Sequence, residues 1–293
     1  GHQTRRWNPK MGKYIYGARN NYYLIDLGKT VACVNEAYAK LKEIVEAGGK
    51  VLFVGTKPSS QQVIIEQAND TGSFYIANRW LGGTLTNFRT ILGRTKRLKD
   101  LQAMDADGTF DSLPKKEVAI LRKEMEKLSK NLEGIKEMRR LPQAIVVTDP
   151  SVEHNAITEA KKLNIPVFGI CDTNDDPDTV KYVIPSNNDA SSAVSLLVKV
   201  LADAIREAKG VLTLVAHTKD EGEEATMKDA VRAADILNEQ RRAAIRAQRQ
   251  EREARNARIQ AEKKARWEAR KAAEAPKAEE KPAEAPAAEG EAK

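Results

Sequence analysis

The chain has 293 residues, a formal net charge of +7 and a pI near 9.2, with charged residues at 31% and aromatic residues at only 5%. That length can bury a proper core, and that charge suits a polyanion partner better than a large aromatic-lined pocket. Two isolated cysteines, Cys33 and Cys171, exclude a disulfide framework and a cysteine metal motif; each lies in an apolar run, so both read as reduced core residues of a cytoplasmic protein. No apolar run is long enough to span a bilayer and no signal-peptide core lies near the start, so neither membrane attachment nor export is expected.

Residues 1–30 form a basic, aromatic-rich lead-in: Arg5, Arg6, Lys10, Lys13, Arg19 and Lys29 against Asp26 alone, six minus one, a local balance of +5. Tyr14-Ile15-Tyr16 and Tyr22-Tyr23-Leu24-Ile25 read as two short strands joined by a polar turn at 17–21. Interleaved Arg, Trp and Tyr suit RNA, whose phosphates take the charges while exposed bases take the aromatic faces; a solvated basic edge is the plainer alternative. Val31, Val34, Tyr38, Leu41 and Val45 then make a helix stripe ended by Gly48-Gly49. Val51-Leu52-Phe53-Val54 is a buried strand, followed by a loop at 55–60 and a helix to about Asn69; Phe74-Tyr75-Ile76-Ala77 is the next strand. After residue 140 the alternation resumes: strand 144–147, helix 153–163, strand 167–170, strand 182–184 and helix 189–207. Near-continuous apolar strands alternating with helices predict an α/β fold with a parallel sheet covered on both faces, doubly wound and Rossmann- or flavodoxin-like.

Between the two halves, Asn78-Arg79-Trp80-Leu81-Gly82-Gly83-Thr84-Leu85-Thr86-Asn87-Phe88 is odd for a connector, with a cation and two large aromatic residues around a Gly-Gly pair. It reads as a joint with Trp80 and Phe88 packed and Arg79 and Arg89 available for binding. Beyond it, Ile91, Leu98 and Leu101 start a helix that runs out near Met104, with a turn at 105–109. Val118, Leu121, Met125, Leu128, Leu132 and Ile135 follow at spacings of 3, 4, 3, 4 and 3. That is a heptad seam, and the preceding arm is its natural partner in an inserted antiparallel coiled-coil hairpin. Arg89, Arg94, Lys96, Arg97 and Lys99 crowd the root, and Arg139-Arg140 are expected to return to the same place.

A doubly wound fold raises the alternative of a diverged nucleotide-binding enzyme, and its motifs fail residue by residue. Gly28-Lys29-Thr30 ends like a Walker A loop but has Tyr23 where the first glycine belongs; Gly49-Lys50 is followed by Val51 and preceded by Ile44 at that position. No G-x-G-x-x-G follows a strand, and His2, His154 and His217 are scattered away from any G-x-S-x-G elbow. Asp172-Thr173-Asn174-Asp175-Asp176-Pro177-Asp178 has Mg²⁺-type ligands, but a loop after a strand explains those aspartates without a metal. No catalytic constellation is visible.

Gly1-His2-Gln3-Thr4-Arg5-Arg6-Trp7-Asn8-Pro9-Lys10-Met11 resembles the N-terminal signature of the bacterial small-subunit ribosomal protein family S-two, and Arg79 through Phe88 is similar to its second signature. The stretches 132–142, 165–167 and 172–174 match in order and spacing, so the resemblance covers about residues 1–208. It implies a Rossmann-like sheet with a projecting helical hairpin and a non-enzymatic role at the head–body junction of the subunit. There the family contacts rRNA and helps recruit the large mRNA-binding protein S-one. Arg5, Arg6, Trp7 and Lys10 of the first signature and Arg79 of the second are the leading RNA-facing candidates; Lys13, Arg89, Arg94, Arg97, Arg139 and Arg140 complete the set. No cofactor is expected beyond structural Mg²⁺ accompanying rRNA, and neither a small-molecule substrate nor a membrane. The family commonly has Cys and Gly where this chain has Asp175 and Ser186, so the loops around Pro177 and Pro185 are expected to differ, with a left-handed turn lost at Ser186. The chain starts without a methionine and without the family's short leading helix, so N-terminal residues are expected to be missing.

Five segments result: 1–88 and 141–208 as the two parts of the α/β domain, 89–140 as the hairpin, 209–238 as an acidic loop with one further helix, and 239–293 as a charged, disordered tail. Within the tail, 239–273 holds twelve Arg or Lys against five Glu (+7) with no seam to bury, and 274–293 holds three Lys against six Glu (−3). Any RNA affinity of the basic part would be nonspecific and salt-sensitive.

Overall fold

Four-residue apolar runs without a polar break can be satisfied only where both faces of a sheet are covered, and this is how they are used. The computed structural model describes residues 1–211 and 213, so the segment expected at 209–238, apart from 209–211 and 213, and the tail expected at 239–293 lie outside the described residues. Five parallel strands, β3 (Val51–Val54), β4 (Phe74–Ile76), β5 (Ala144–Val147), β6 (Val167–Cys171) and β7 (Tyr182–Pro185), lie in the spatial order β4-β3-β5-β6-β7. Counted along the chain this is 2-1-3-4-5, the flavodoxin-like of the two common doubly wound orders.

Alternate residues of each strand feed two separate cores. Val51, Phe53, Ala144, Val146, Phe168 and Ile170 face α1 (Leu27–Glu46), α2 (Pro58–Thr71) and α6 (Ser191–Ala208). Leu52, Val54, Ile145, Val147, Val167 and Cys171 face α5 (His154–Lys162) and the root of a pair of helices, α3 (Phe88–Ala106) and α4 (Lys115–Leu132). The insertion therefore supplies the crossover from β4 to β5 and covers one face of the sheet as it does so. Arg97 pairs with Glu124 (3.1 Å) and Arg122 with Asp105 (3.5 Å) between α3 and α4. The expected seam is graded: Leu132 and Ile135 are fully buried, while Val118, Leu121, Met125 and Leu128 are half-buried. It also crosses a break, because the α-helix ends at Leu132 and a 3-10 turn (Glu133–Ile135) carries Ile135. A side chain on Gly134 would collide with the backbone oxygen and ring of Tyr75, so glycine lets this turn lie against β4.

The lead-in forms an antiparallel hairpin outside the main sheet, β1 (Ile15–Arg19) and β2 (Tyr22–Ile25). The turn is tighter than the expected 17–21: Asn20 and Asn21 both take positive φ, as a two-residue I′ turn requires. Cys171 is fully buried, but Cys33 is only half-buried on α1, a correction to its reading as a core residue; burial pushes both thiols up. Ser186 does not take positive φ, as expected for the residue that replaces glycine. Among the described residues no helix is long and apolar enough to cross a membrane.

Candidate nucleic-acid interface

Both signature stretches come to the carboxyl edge of the sheet. The N-terminal segment crosses it as a strap: His2 N donates to Thr173 Oγ1 (2.8 Å), Asn8 N donates to the Thr173 carbonyl (2.8 Å), and Met11 is fully buried in the same core cluster as Trp80 and Leu85. His2 Nδ1 lies 2.9 Å from Asp172 Oδ2 and Nε2 lies 3.2 Å from Asp189 Oδ2. Lys10 Nζ is held by Asp178 (2.7 Å) and Asp176 (2.9 Å), which raise its pKa, and Asp176 in turn is lowered by Lys10. Between these two feet a 3-10 turn, Thr4–Arg6, leaves Arg5, Arg6 and Trp7 exposed, with the Trp7 ring 5.0 Å from that of Tyr23.

The second signature is built around a carboxylate that sequence reasoning missed. Glu159 of α5, only 8% exposed, accepts from Trp80 Nε1 (3.0 Å) and Gly83 N (2.8 Å) on one oxygen. Its other oxygen accepts from Leu85 N (2.9 Å), Thr86 N (3.1 Å) and Thr86 Oγ1 (3.1 Å). Burial opposes the charge, but the Trp80 indole and the amides of Thr86, Leu85 and Gly83 outweigh it and hold Glu159 below the usual carboxylate range. Of the Gly-Gly pair only Gly83 needs to be glycine: its φ is +85°, whereas Gly82 is exposed with no neighbour for a side chain to meet. Trp80 is buried and Phe88 half-buried against the same cluster, as expected of a joint, while Arg79 and Arg89 stand in solvent.

The predicted basic residues do not form one root. Arg79 lies just past the carboxyl end of β4, but Arg139 and Arg140 precede β5, at the opposite edge, beside Phe74 and residues 48–50. The Lys99–Glu137 pair (2.9 Å) brings the middle of α3 to that second edge. Lys13 lies over the Tyr14 ring, 4.9 Å from its centroid. Among the described residues, no ion pair engages Arg5, Arg6, Arg79, Arg89, Arg94, Arg139 or Arg140, all exposed; Lys10 and Arg97 are paired with acids.

Where this class of sheet places its ligands, the chain has put its own acids. Glu153 Oε1 accepts from Thr56 N (2.8 Å) and Thr56 Oγ1 (2.6 Å) at the entrance to α2, the place where a phosphate would sit on a helix N-terminus. Lys57 Nζ bonds Asp149 (2.5 Å) and Asp189 (2.6 Å); burial disfavours its charge, but the two carboxylates raise its pKa overall. Burial, with the charges of Asp149 and Asp172 against one backbone amide, lifts Asp175 to about 7.

An α/β framework whose ligand edge is closed by its own strap, with unpaired arginines carried on loops and a helix around it, defines a scaffold that displays charge. The model of one protein family, Ribosomal protein S2, matches residues 1–208, and the chain belongs to that family. It is thereby a structural protein of the small ribosomal subunit, as its signature stretches implied.

Proposed function

We propose that the chain binds rRNA at the head–body junction of the small subunit, without catalysis, and helps to recruit the large mRNA-binding protein S-one. The carrying observation is the pairing pattern of its cations: the exposed arginines on the strap, the joint, α3 and residues 139–140 make no ion pair among the described residues. Exposed arginines left unpaired suit phosphate contact, because guanidinium forks bind phosphate bidentately. Arg5, Arg6, Trp7, Arg79 and Arg89 form the carboxyl-edge part of this interface and Arg139 and Arg140 an amino-edge part, with Lys13 beside the β6–β7 crossover and Arg94 on α3; Lys10 and Arg97 are already engaged by acids. The α3–α4 pair is read as an antiparallel coiled coil reaching toward a neighbouring protein. The 1–88, 89–140 and 141–208 division follows, with the protein working in the cytoplasm. Mg²⁺ would enter with the rRNA rather than as a cofactor of the chain.

Co-sedimentation with small subunits in a sucrose gradient at physiological magnesium tests this reading, and failure to co-sediment refutes it. Reversing the charge at Arg94 and Arg139 should impair incorporation; unaffected incorporation would remove α3 and the amino edge from the interface, and Arg97 is left unchanged because it pairs with Glu124. The competing reading, a diverged nucleotide-binding enzyme, draws support from the sheet order alone. Glu153 and Asp149 stand where its phosphates would bind. Micromolar affinity for ATP or NAD by calorimetry would restore it.

A further inference from the structure

The acidic crossover between β6 and β7 looks adverse to an RNA-binding surface, since Asp176 and Asp178 pair with Lys10 of the same strap that carries Arg5 and Arg6. Its geometry assigns it another task. The crossover runs from residue 172 to 181 with only a 3-10 turn (Pro177–Thr179), and it is braced internally: Asp172 N donates to Asp175 Oδ2 (2.7 Å), Thr173 N to Asp172 Oδ1 (2.6 Å) and Asp178 N to Asp176 Oδ1 (3.0 Å). This braced loop holds both feet of the strap. At one foot are the contacts of His2 with Asp172 and Thr173; at the other are the Asn8 amide on the Thr173 carbonyl and Lys10 on Asp176 and Asp178.

We propose that Asp172, Asp176 and Asp178 are positioning residues that clamp the two ends of the Gln3 to Trp7 arch, whose middle rests on the β1–β2 turn through Thr4 N and the Asn21 carbonyl (2.9 Å), and so present Arg5, Arg6 and Trp7 to rRNA in one conformation. The inference rests on the rRNA-binding reading above and adds a part that net charge alone would assign the opposite sign. Ordering an arginine-rich segment before binding removes a cost that association would otherwise bear. A through-space view predicts that removing two negative charges beside the arch tightens RNA binding; the clamp predicts that it weakens binding.

The test uses the full chain carrying Asp176→Asn with Asp178→Asn, and the charge-exchanged pair Lys10→Asp with Asp178→Lys. Two readouts are taken: filter binding to purified small-subunit rRNA at fixed salt, and the rate of tryptic cleavage at Arg5 and Arg6. The double asparagine variant should bind about three- to tenfold more weakly, the scale expected for freeing one or two long side chains and their backbone. It should also be cut faster at the arch, with an unchanged unfolding midpoint, since both carboxylates are substantially exposed. The exchanged pair should recover much of both losses. Equal or tighter binding by the asparagine variant overturns the proposal, as does cleavage that is no faster. If the wild-type chain itself fails to bind rRNA while the cleavage result holds, the clamp stands and the rRNA partner is what falls.

Discussion

Glu159→Gln keeps the size of the side chain and removes half of its accepting capacity, so it isolates what the buried carboxylate does for the loop of residues 80–86. An amide nitrogen in place of Oε2 would face Leu85 N and Thr86 N, two donors that now lack an acceptor, while the Thr86 hydroxyl can turn to accept from it. Flipping the amide would instead strand Trp80 Nε1 and Gly83 N. Each buried donor left unmet costs about 1–3 kcal/mol. Against this, glutamine escapes the desolvation of a buried ion, which leaves a net loss of roughly 3 kcal/mol. For a domain of this size that is a fall of about 6–12 °C in Tm. Urea unfolding at neutral pH gives the free energy, and a red shift of tryptophan emission in the folded state reports loosening around Trp80. A loss below about 1 kcal/mol, with unchanged emission, would refute the claim that Glu159 organises the joint. The pH dependence has a definite sign. A carboxylate held below its ordinary value near 4.3 stabilises the fold above that pH, and the contribution is lost as pH falls through the lowered folded value. Glu159→Gln should lack that acid limb.

Asp175 carries the opposite sign. Its folded pKa of about 7 exceeds the unfolded value near 3.9, so the folded state holds the extra proton and stability declines as pH rises between the two. Asp175→Asn should flatten the stability profile over that window, seen as a smaller fall in Tm from pH 5 to pH 8 than in the wild type. Gly134→Ala, which helix propensity alone would favour by about 1 kcal/mol, should instead cost on the order of 3 kcal/mol by overpacking against Tyr75; a denaturation midpoint at or above wild type would contradict the close approach. Arg79→Ala and Arg139→Ala should each lower the slope of log affinity for rRNA against log salt by about one, and the two losses should add because the residues sit at opposite edges of the sheet.

The sheet was legible because its strands have no polar interruption: Val51 to Val54 and Ala144 to Val147 leave no choice but burial on both faces. The helices were equally plain from their stripes, and the joint from its composition. What stayed hidden were contacts set by long-range packing. Glu159 sits in a short helix that reads as ordinary, 73 to 79 residues from the groups it serves, and its only sequence signal is an acid between Ile157 and Ala160 on a face that must be buried. The heptad run suggested one continuous helix to Ile135, but Gly134 and the approach to β4 end the α-helix at Leu132. Arg139 and Arg140 return beside the middle of α3, where Lys99 meets Glu137, but not beside Arg79 and Arg89, which stand at the other end of the sheet. A parallel sheet separates the end of one strand from the start of the next by a full strand length.

The strap has a consequence for how the protein is made. His2 finds its carboxylate partner 170 residues downstream and Lys10 finds its own 166 residues downstream. At ribosomal synthesis speeds, that gap is roughly ten to thirty seconds. Throughout that interval the first signature has local partners only in the β1–β2 turn, through Thr4 N on the Asn21 carbonyl (2.9 Å) and Tyr23 N on the His2 carbonyl (3.2 Å), with neither the sixth strand nor the crossover yet in existence to clamp its feet. Its feet are clamped only when the sheet is nearly complete. A product that stops short of the crossover carries the same basic residues without that clamp.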